Sequence, residues 1–173
     1  MDTERKNVIT LKGNAFTLIG PEIKVGDKAP EFTALAGDLS AVTLAASKGK
    51  TRLLIAVPSL DTPVCDAETR RFNEEAAKLS NVETIVISMD LPFAQGRFCQ
   101  TAGIKNIKTL SDHRDASFGK AYGVLIKELR LLARAVFVVD AHDVVQYVEI
   151  VKDVATPPNY DAALNALKQK ANA

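Results

Sequence analysis

Apolar residues in this chain occur in two patterns: short continuous runs, and longer stretches in which they recur every three or four positions. The continuous runs predict buried β-strands, which cover residues 52–57, 82–88, 107–110, 135–139 and 144–150. The recurring pattern is typical of helices with one buried face, and it predicts helices at 65–79, 93–101, 116–122 and from about 160 to 170. Strands and helices therefore alternate through the middle of the chain.

Two alternating runs near the N-terminus flank the sequence Lys12-Gly13-Asn14 and predict a β-hairpin over about residues 7–19. The alternating strands and helices that follow end on a second hairpin and a helix. This order predicts an α/β fold, a thioredoxin-like sandwich with a mixed central sheet and an N-terminal β-hairpin extension. The chain shows no repeat, low-complexity tract or linker, so residues 1–173 are expected to form a single domain.

Composition and charge narrow the function classes. Of the 173 residues, 47% are hydrophobic and 25% are charged, and the formal net charge is +1. Such a chain exerts no overall attraction on nucleic acids or membranes. The N-terminus is polar without an apolar signal core, and no stretch reaches the length of a membrane span, which predicts a cytoplasmic protein.

The chain has two cysteines, and in a reducing compartment a cysteine pair is more often redox-active or metal-binding than structural. Cys65 and Cys99 are 34 positions apart, and His113 and His142 show no ligand spacing with either of them. Neither a metal nor another cofactor is therefore expected.

Cys65 lies where a buried strand turns into a helix. Thr62 suits the N-cap position, and Pro63 suits the first helical position, where its missing N–H costs nothing. Cys65 then falls in the first helical turn, where free amides and the positive end of the helix dipole favour the thiolate, the nucleophilic form. Buried cysteines are often only small core residues, but the strand–turn–helix frame favours chemistry here.

The residues around both cysteines resemble those of the peroxiredoxin family. Pro58-x-x-x-Thr62-x-x-Cys65 matches the active-site motif of that family. The stretches PSLDTPVCDAETRRFNEEA around Cys65 and SMDLPFAQGRFC around Cys99 resemble its thiol peroxidase branch, the bacterial atypical two-cysteine peroxiredoxins, as do AYGV and LLARAVFVVD. The resemblance extends from about residue 7 to residue 170 and includes the N-terminal hairpin.

The resemblance implies a role for each residue of the motif. Cys65 would be the peroxidatic cysteine, whose thiolate attacks a hydroperoxide and becomes a sulfenic acid. Thr62 would place its hydroxyl on the thiolate and the peroxide, and Pro58 would shield the sulfur from water. Arg134 would stabilise negative charge on the sulfur and on the peroxide oxygens. From the residues alone, Arg134 is a strand-edge cation that faces solvent, and only the resemblance singles it out.

The resemblance also implies how the enzyme would be regenerated. Cys99 would be the resolving cysteine, which condenses with the Cys65 sulfenic acid to give an intrachain disulfide. Helix-borne cysteines seldom have Cα atoms within the ~7 Å that a disulfide tolerates, so both helix starts are expected to unwind. Thioredoxin would then reduce the disulfide. Hydrogen peroxide and alkyl hydroperoxides would be the substrates, and the chain would form a homodimer through the face near the active-site turn.

Three other function classes were compared with this one. A dithiol–disulfide oxidoreductase normally carries a second cysteine three positions after the first, where this chain has Glu68. A cysteine hydrolase would need His113 or His142 as its base, and both are predicted to lie at the surface. A thiol sensor or binding module on the same fold is compatible with the sequence. Rapid peroxide consumption coupled to thioredoxin would separate the peroxidase from all three.

Overall fold

The computed structural model describes residues 2–171, which form eleven strands, four α-helices and one 3-10 turn at Leu44–Ser47. The strands are β1 (Glu4–Leu11), β2 (Asn14–Ile19), β3 (Thr33–Leu35), β4 (Ala41–Thr43), β5 (Thr51–Ala56), β6 (Val82–Ser88), β7 (Lys108–Ser111), β8 (Leu125–Ile126), β9 (Leu131–Leu132), β10 (Ala135–Val139) and β11 (Val145–Ile150). The helices are α1 (Pro63–Ala76), α2 (Pro92–Ala102), α3 (Ser117–Ala121) and α4 (Tyr160–Ala171).

A seven-stranded sheet in the order β11-β10-β5-β6-β7-β3-β4 forms the centre of the molecule. The inner strands β5, β6 and β7 are parallel, and the remaining pairings are antiparallel. The predicted mixed sheet and α/β class are therefore confirmed. In a parallel sheet, sites form beyond the carboxyl ends of the strands, and the turn that leads into α1 begins at that end of β5.

The central sheet separates two hydrophobic clusters, because successive side chains of a strand point to opposite faces. On β5, Leu53 and Ile55 pack with Cys65 and Phe72 of α1 and with the apolar face of α4. Leu54 and its neighbours on the opposite face pack against α3 and the N-terminal strands. Helix α1 is thus held by its buried face, which fixes the position of Cys65.

A second, smaller sheet in the order β1-β2-β8-β9 covers part of the other face. The predicted hairpin is present as β1 and β2, and it begins at Glu4, three residues before its predicted start. The short strands β8 and β9, like β4, were not predicted. They contain only two or three residues each, too few for a periodic pattern to be recognised.

The helix bounds differ from the predicted ones by a few residues. Helix α1 begins at Pro63, as the Thr62-Pro63 capping pattern predicts, and it ends at Ala76, three residues before the end of the apolar pattern over 65–79. Helix α2 ends at Ala102 and is capped by Gly103, whose φ of +68° is left-handed and favours glycine. Within residues 2–171, no helix is both long and apolar enough to cross a membrane.

Candidate active site

The turn between β5 and α1 brings Cys65 into the interior. Thr62 has an extended backbone at the N-cap position and Pro63 is the first helical residue, as predicted. The Thr62 hydroxyl does not cap the helix as expected, because it donates to the carbonyl oxygen of Ser59 at 3.0 Å. Pro58 is buried at the start of the turn. The first amides of α1 are therefore left free to act on Cys65.

Cys65 is fully buried, and its sulfur faces a guanidinium. Arg134 Nη2 donates to Cys65 Sγ at a distance of 3.2 Å. A charged donor in a dry site stabilises an anionic acceptor much more strongly than it would in water. The positive end of the α1 dipole acts in the same direction. The Arg134 guanidinium and the helix dipole therefore both place positive charge at the Cys65 sulfur.

Arg134 does not face solvent, contrary to the reading from its residue type alone. Its side chain is 2% exposed, and Arg134 Nε donates to the carbonyl oxygen of Val154 at 3.0 Å. Nη1 forms an ion pair with Glu68. Burial lowers the pKa of Arg134, but the negative charges of Glu68 and Cys65 raise it more, so the net shift is upward. Arg134 therefore stays charged beside the sulfur.

Glu68 is a member of the site that was not recognised in the sequence. It lies one helical turn after Cys65 on the same buried face of α1, and its side chain is fully buried. Burial raises the pKa of Glu68 to about 7, although the charge of Arg134 opposes that rise. Its Oε1 has no hydrogen-bond partner within residues 2–171. The sequence did contain a signal for this site residue, because it shows a glutamate on the apolar face of a predicted helix, three residues after a cysteine.

The negative charge of Asp66, next to Cys65 in sequence, is offset locally. Asp66 forms an i,i+4 ion pair with Arg70 on the exposed side of α1. Both side chains are partly exposed, so this pair is screened and weak. Solvent screening and the nearby guanidinium of Arg70 both reduce the repulsion between Asp66 and a thiolate at Cys65.

Cys99 lies on α2 in a different environment. The cysteine is half-buried, and its sulfur is 3.8 Å from the hydroxyl of Thr109 on β7. Burial raises the pKa of the Cys99 thiol, and the hydrogen bond to Thr109 opposes that rise in part. Both cysteines are free thiols, so the structure has the arrangement of a reduced protein.

A cleft of about 540 Å³ opens between the turn before α1 and helix α2. Its apolar lining includes Leu60, Leu91, Phe93 and Phe98, and the side chain of Phe93 is 67% exposed. The cation that lines this cleft is Arg97, whereas Arg134 contacts Cys65. Among the described residues, no three histidine, cysteine or acidic side chains gather as metal ligands would.

Comparison with known proteins gives a consistent result. The redoxin family model matches residues 24–164. A thiol peroxidase of Halalkalibacterium halodurans is 65% identical over 160 residues, which are 92% of this chain and 96% of that protein. A thiol peroxidase of Bacillus subtilis is 56% identical over the same shares of the two chains.

Solved structures agree with these relatives. A peroxiredoxin-like protein from Aquifex aeolicus superimposes with a TM-score of 0.88 at 46% identity, covering 97% of this chain and 98% of that one. A thiol peroxidase from Chromobacterium violaceum gives a TM-score of 0.84 at 25% identity, with 93% and 95% of the two chains covered.

Proposed function

Because this chain belongs to the redoxin family and is a peroxidase of the peroxiredoxin type, we propose that Cys65 is its peroxidatic nucleophile. The observation that supports this most is the 3.2 Å contact between Arg134 Nη2 and Cys65 Sγ in the first turn of α1. The thiolate is the reactive form of cysteine, and this contact stabilises it. Reactive cysteines occur in such electropositive surroundings, whereas structural ones do not.

The first chemical step forms one bond and breaks one. The Cys65 thiolate attacks the terminal oxygen of the hydroperoxide, an S–O bond forms, and the O–O bond breaks. The electron pair leaves on the second oxygen, which takes a proton and departs as water or an alcohol. Cys65 is then a sulfenic acid. Arg134 stabilises the negative charge that builds on the oxygens as the O–O bond lengthens.

Thr62 and Pro58 would shape the space in which the peroxide binds. The Thr62 hydroxyl, now bonded to the carbonyl oxygen of Ser59, would exchange that bond for one to the peroxide. Pro58 would keep water from the sulfur. Glu68 is a positioning residue, because it acts on the reaction by holding Nη1 of Arg134 and so aiming Nη2 at the sulfur.

Cys99 would resolve the sulfenic acid. Its thiol attacks the Cys65 sulfur, the S–O bond breaks, water leaves, and an intrachain disulfide remains. Both helices must open locally for the two sulfurs to meet, because each cysteine is held within a regular helix. The dithiol of thioredoxin would then reduce the disulfide, which restores both thiols and oxidises thioredoxin. We place the protein in the cytoplasm, a reducing compartment.

The cleft beside the active-site turn suggests the substrate range. Its apolar lining by Leu60, Phe93 and Phe98 suits the chain of an alkyl hydroperoxide as well as the smaller hydrogen peroxide. The exposed side chains of Leu91 and Phe93 lie on the same face. We propose that a second copy of the chain covers that face in a homodimer, which sedimentation of the wild type and of Phe93→Glu would test.

A coupled assay tests the proposed function. Thioredoxin, its reductase and NADPH are mixed with the protein, and NADPH oxidation is followed after addition of hydrogen peroxide or of an alkyl hydroperoxide. We expect turnover that depends on both thioredoxin and peroxide. On a non-reducing gel, the oxidised protein should migrate as a faster monomer. A disulfide-linked dimer as the main product would exclude Cys99 as an intrachain resolving residue.

A further inference from the structure

One carboxylate holds the turn that places Cys65. Asp90 follows β6 and is half-buried. Its Oδ1 accepts a hydrogen bond from Ser59 Oγ at 2.7 Å, and its Oδ2 accepts one from the backbone N–H of Leu60 at 2.8 Å. Both donors belong to the turn between β5 and α1. The Ser59 carbonyl oxygen accepts a hydrogen bond from the Thr62 hydroxyl at 3.0 Å. The conformation of the turn therefore depends on Asp90.

The same carboxylate is linked to helix α2 through a buried serine. Ser88 Oγ donates to Asp90 Oδ2 at 2.7 Å and accepts a hydrogen bond from Gln95 Nε2 at 3.0 Å. The second hydrogen of that amide goes to the carbonyl oxygen of Leu110 at 2.8 Å. Gln95 is buried and precedes Cys99 by one helical turn. A chain of side-chain hydrogen bonds therefore joins the helix of Cys99 to Asp90.

The main chain of Asp90 is fixed to the sheet independently of both segments. Ser111, at the end of β7, donates from its hydroxyl to the carbonyl oxygen of Asp90 at 2.5 Å. The carboxylate is thus a fixed point between two elements that can move. Hydrogen bonds to an ionised acceptor are stronger than those between neutral groups. Losing this acceptor would weaken the turn and the start of α2 together.

We propose that Asp90 is the common anchor that keeps both cysteine-bearing segments folded, and that its hydrogen bonds determine how readily these segments open to form the Cys65–Cys99 disulfide. This inference rests on the proposed function. The anchor favours the folded site, in which Cys65 can attack a peroxide, over the opened site, in which Cys99 reaches the sulfenic acid. Asp90 is a positioning residue that acts through the turn and through Ser88.

Asp90→Asn tests the anchor in the reduced protein. Three donors converge on the carboxylate, and an asparagine would turn an N–H₂ group toward one of them. Because a hydrogen bond to a charged group changes a local equilibrium by about tenfold or more, we expect amide exchange about tenfold faster. The increase should occur in both residues 58–65 and 92–99, and amides of the central strands should keep their wild-type exchange.

Asp38→Asn is the matched control. Asp38 accepts hydrogen bonds from the backbone N–H and the hydroxyl of Ser40 in an exposed turn before β4. The same chemical change is made there, but among the described residues the carboxylate of Asp38 bonds only its own turn and touches neither cysteine-bearing segment. Exchange in 58–65 and 92–99 should stay at the wild-type level in this variant. The proposal would be overturned if amide exchange in Asp90→Asn matched that in Asp38→Asn, or if it rose in one segment only.

Two milder variants each remove the hydrogen bonds on one side of the anchor, and they test the proposal if Asp90→Asn fails to fold. Ser59→Ala removes the donor to Asp90 Oδ1 and the acceptor of the Asp61 N–H, both on the turn side, so exchange should rise in 58–65 and not in 92–99. Ser88→Ala removes the link to Gln95, so exchange should rise in 92–99. Equal effects of both variants on both segments would contradict a shared anchor with two separate sides.

The rate of disulfide formation is measured after addition of one equivalent of peroxide, and overoxidation of Cys65 is measured in excess peroxide. In Asp90→Asn, disulfide formation after oxidation of Cys65 should be about tenfold faster, and the fraction of Cys65 that reaches the sulfinic acid in excess peroxide should fall. A disulfide rate equal to that of the wild type would refute the control of opening by Asp90. If the wild type forms no such disulfide, the role proposed for Cys99 fails, and the exchange data on the reduced protein still decide whether Asp90 is the anchor.

Discussion

Cys65 and Cys99 occupy opposite ends of their helices. Cys65 is the third residue of α1, near the positive end of the helix dipole, and a guanidinium donates to its sulfur. Cys99 lies in the second half of α2, where the dipole opposes an anion, and the neutral hydroxyl of Thr109 lies beside its sulfur. The same chemical group is thus held in two opposite electrostatic environments.

This difference separates the two thiols in time. In the proposed cycle, Cys65 beside the Arg134 guanidinium reacts with the peroxide as a thiolate. Burial raises the pKa of the Cys99 thiol, so Cys99 stays protonated at neutral pH and does not compete for the peroxide. In that cycle it would react only after α2 and the turn before α1 have opened. The order of events would therefore be set by the electrostatic environment and by local unfolding rather than by two different chemistries.

The largest effect is expected from exchanging each cysteine for serine. Cys65→Ser should reduce turnover to the background, because an alcohol at this site is not ionised near neutral pH. Cys99→Ser should still consume one equivalent of peroxide at a near-normal rate, and its sulfenic acid should persist. Stopped-flow oxidation and sulfenic-acid trapping measure both. Equal losses of the first step in the two variants would remove the distinction between the cysteines.

Removing the guanidinium should make Cys65 resemble Cys99. Arg134→Ala should slow the second-order reaction with peroxide by about 10²- to 10³-fold, because the donor to the transition-state charge is lost. It should also destabilise the fold by about 3–5 kcal/mol, because Glu68 is left buried without its partner. The reading of Arg134 as a solvent-facing strand-edge cation, from its residue type alone, is therefore wrong.

Arg134→Lys is the matched control for charge without the guanidinium fork. A lysine keeps the positive charge but cannot hold Glu68 and Cys65 with two parallel donors. The rate should fall between those of the wild type and Arg134→Ala, and denaturant unfolding should show a smaller loss of stability. An unchanged peroxide rate in Arg134→Ala would assign the role to another cation, such as Arg97.

A smaller effect is expected in the pH dependence of stability. The pKa of Glu68 is about 7 in the folded protein, whereas the ordinary value is 4.5. Between these two pH values the folded state holds a proton that the unfolded state has released, so this group lowers the stability as the pH rises. The wild type should lose up to roughly 3 kcal/mol relative to Glu68→Gln over this range.

Denaturant unfolding of both proteins at pH 4.5, 5.5, 6.5 and 7.5 measures this difference. Comparison with Glu68→Gln cancels the other groups that titrate in the same range. The peroxide reaction of Glu68→Gln should also lose any inflection near pH 7. A wild type that gains stability over Glu68→Gln as the pH rises would show that the ion pair with Arg134 outweighs burial.

The sequence predicted the fold and the position of Cys65 well, because both depend on local patterns. Continuous apolar runs identified β6 and β10 with the bounds that the structure has, and Thr62-Pro63 identified the start of α1. The side chains that contact Cys65 could not be predicted from local patterns. Arg134 is 69 residues away from Cys65 in sequence, and no local pattern shows that the chain returns it to the sulfur. Only the family resemblance selected it.

Glu68 and Asp90 show two further limits of sequence reasoning. Glu68 has a charged side chain on a buried helical face, which a pattern of polar and apolar positions treats as an exception rather than as a site. Asp90 accepts hydrogen bonds from Ser59, Leu60 and Ser88, which come from one turn and one strand end. Such convergence depends on the tertiary arrangement, so it becomes visible only in the structure.

The smallest effect concerns the hydroxyl beside Cys99. Thr109 can donate to the Cys99 thiolate, which opposes the upward shift of the pKa of Cys99 caused by burial. Thr109→Val removes this donor, so the pKa should rise further and the thiolate fraction at a given pH should fall. Alkylation of Cys99 by iodoacetamide at pH 8 should therefore slow by roughly two- to tenfold, the range for one neutral hydrogen bond.

The measurement is made in the Cys65→Ser background, so that Cys99 is the only thiol that reacts. Thr84→Val is the matched control, since Thr84 lies on the neighbouring strand β6 and its buried hydroxyl has no partner among the described residues. This control should leave the alkylation rate unchanged. Thr109→Ser, which keeps the hydroxyl, should restore the wild-type rate. If Thr109→Val reacts as fast as its parent, burial alone keeps Cys99 protonated, and the contrast with Cys65 rests entirely on Arg134 and the helix dipole.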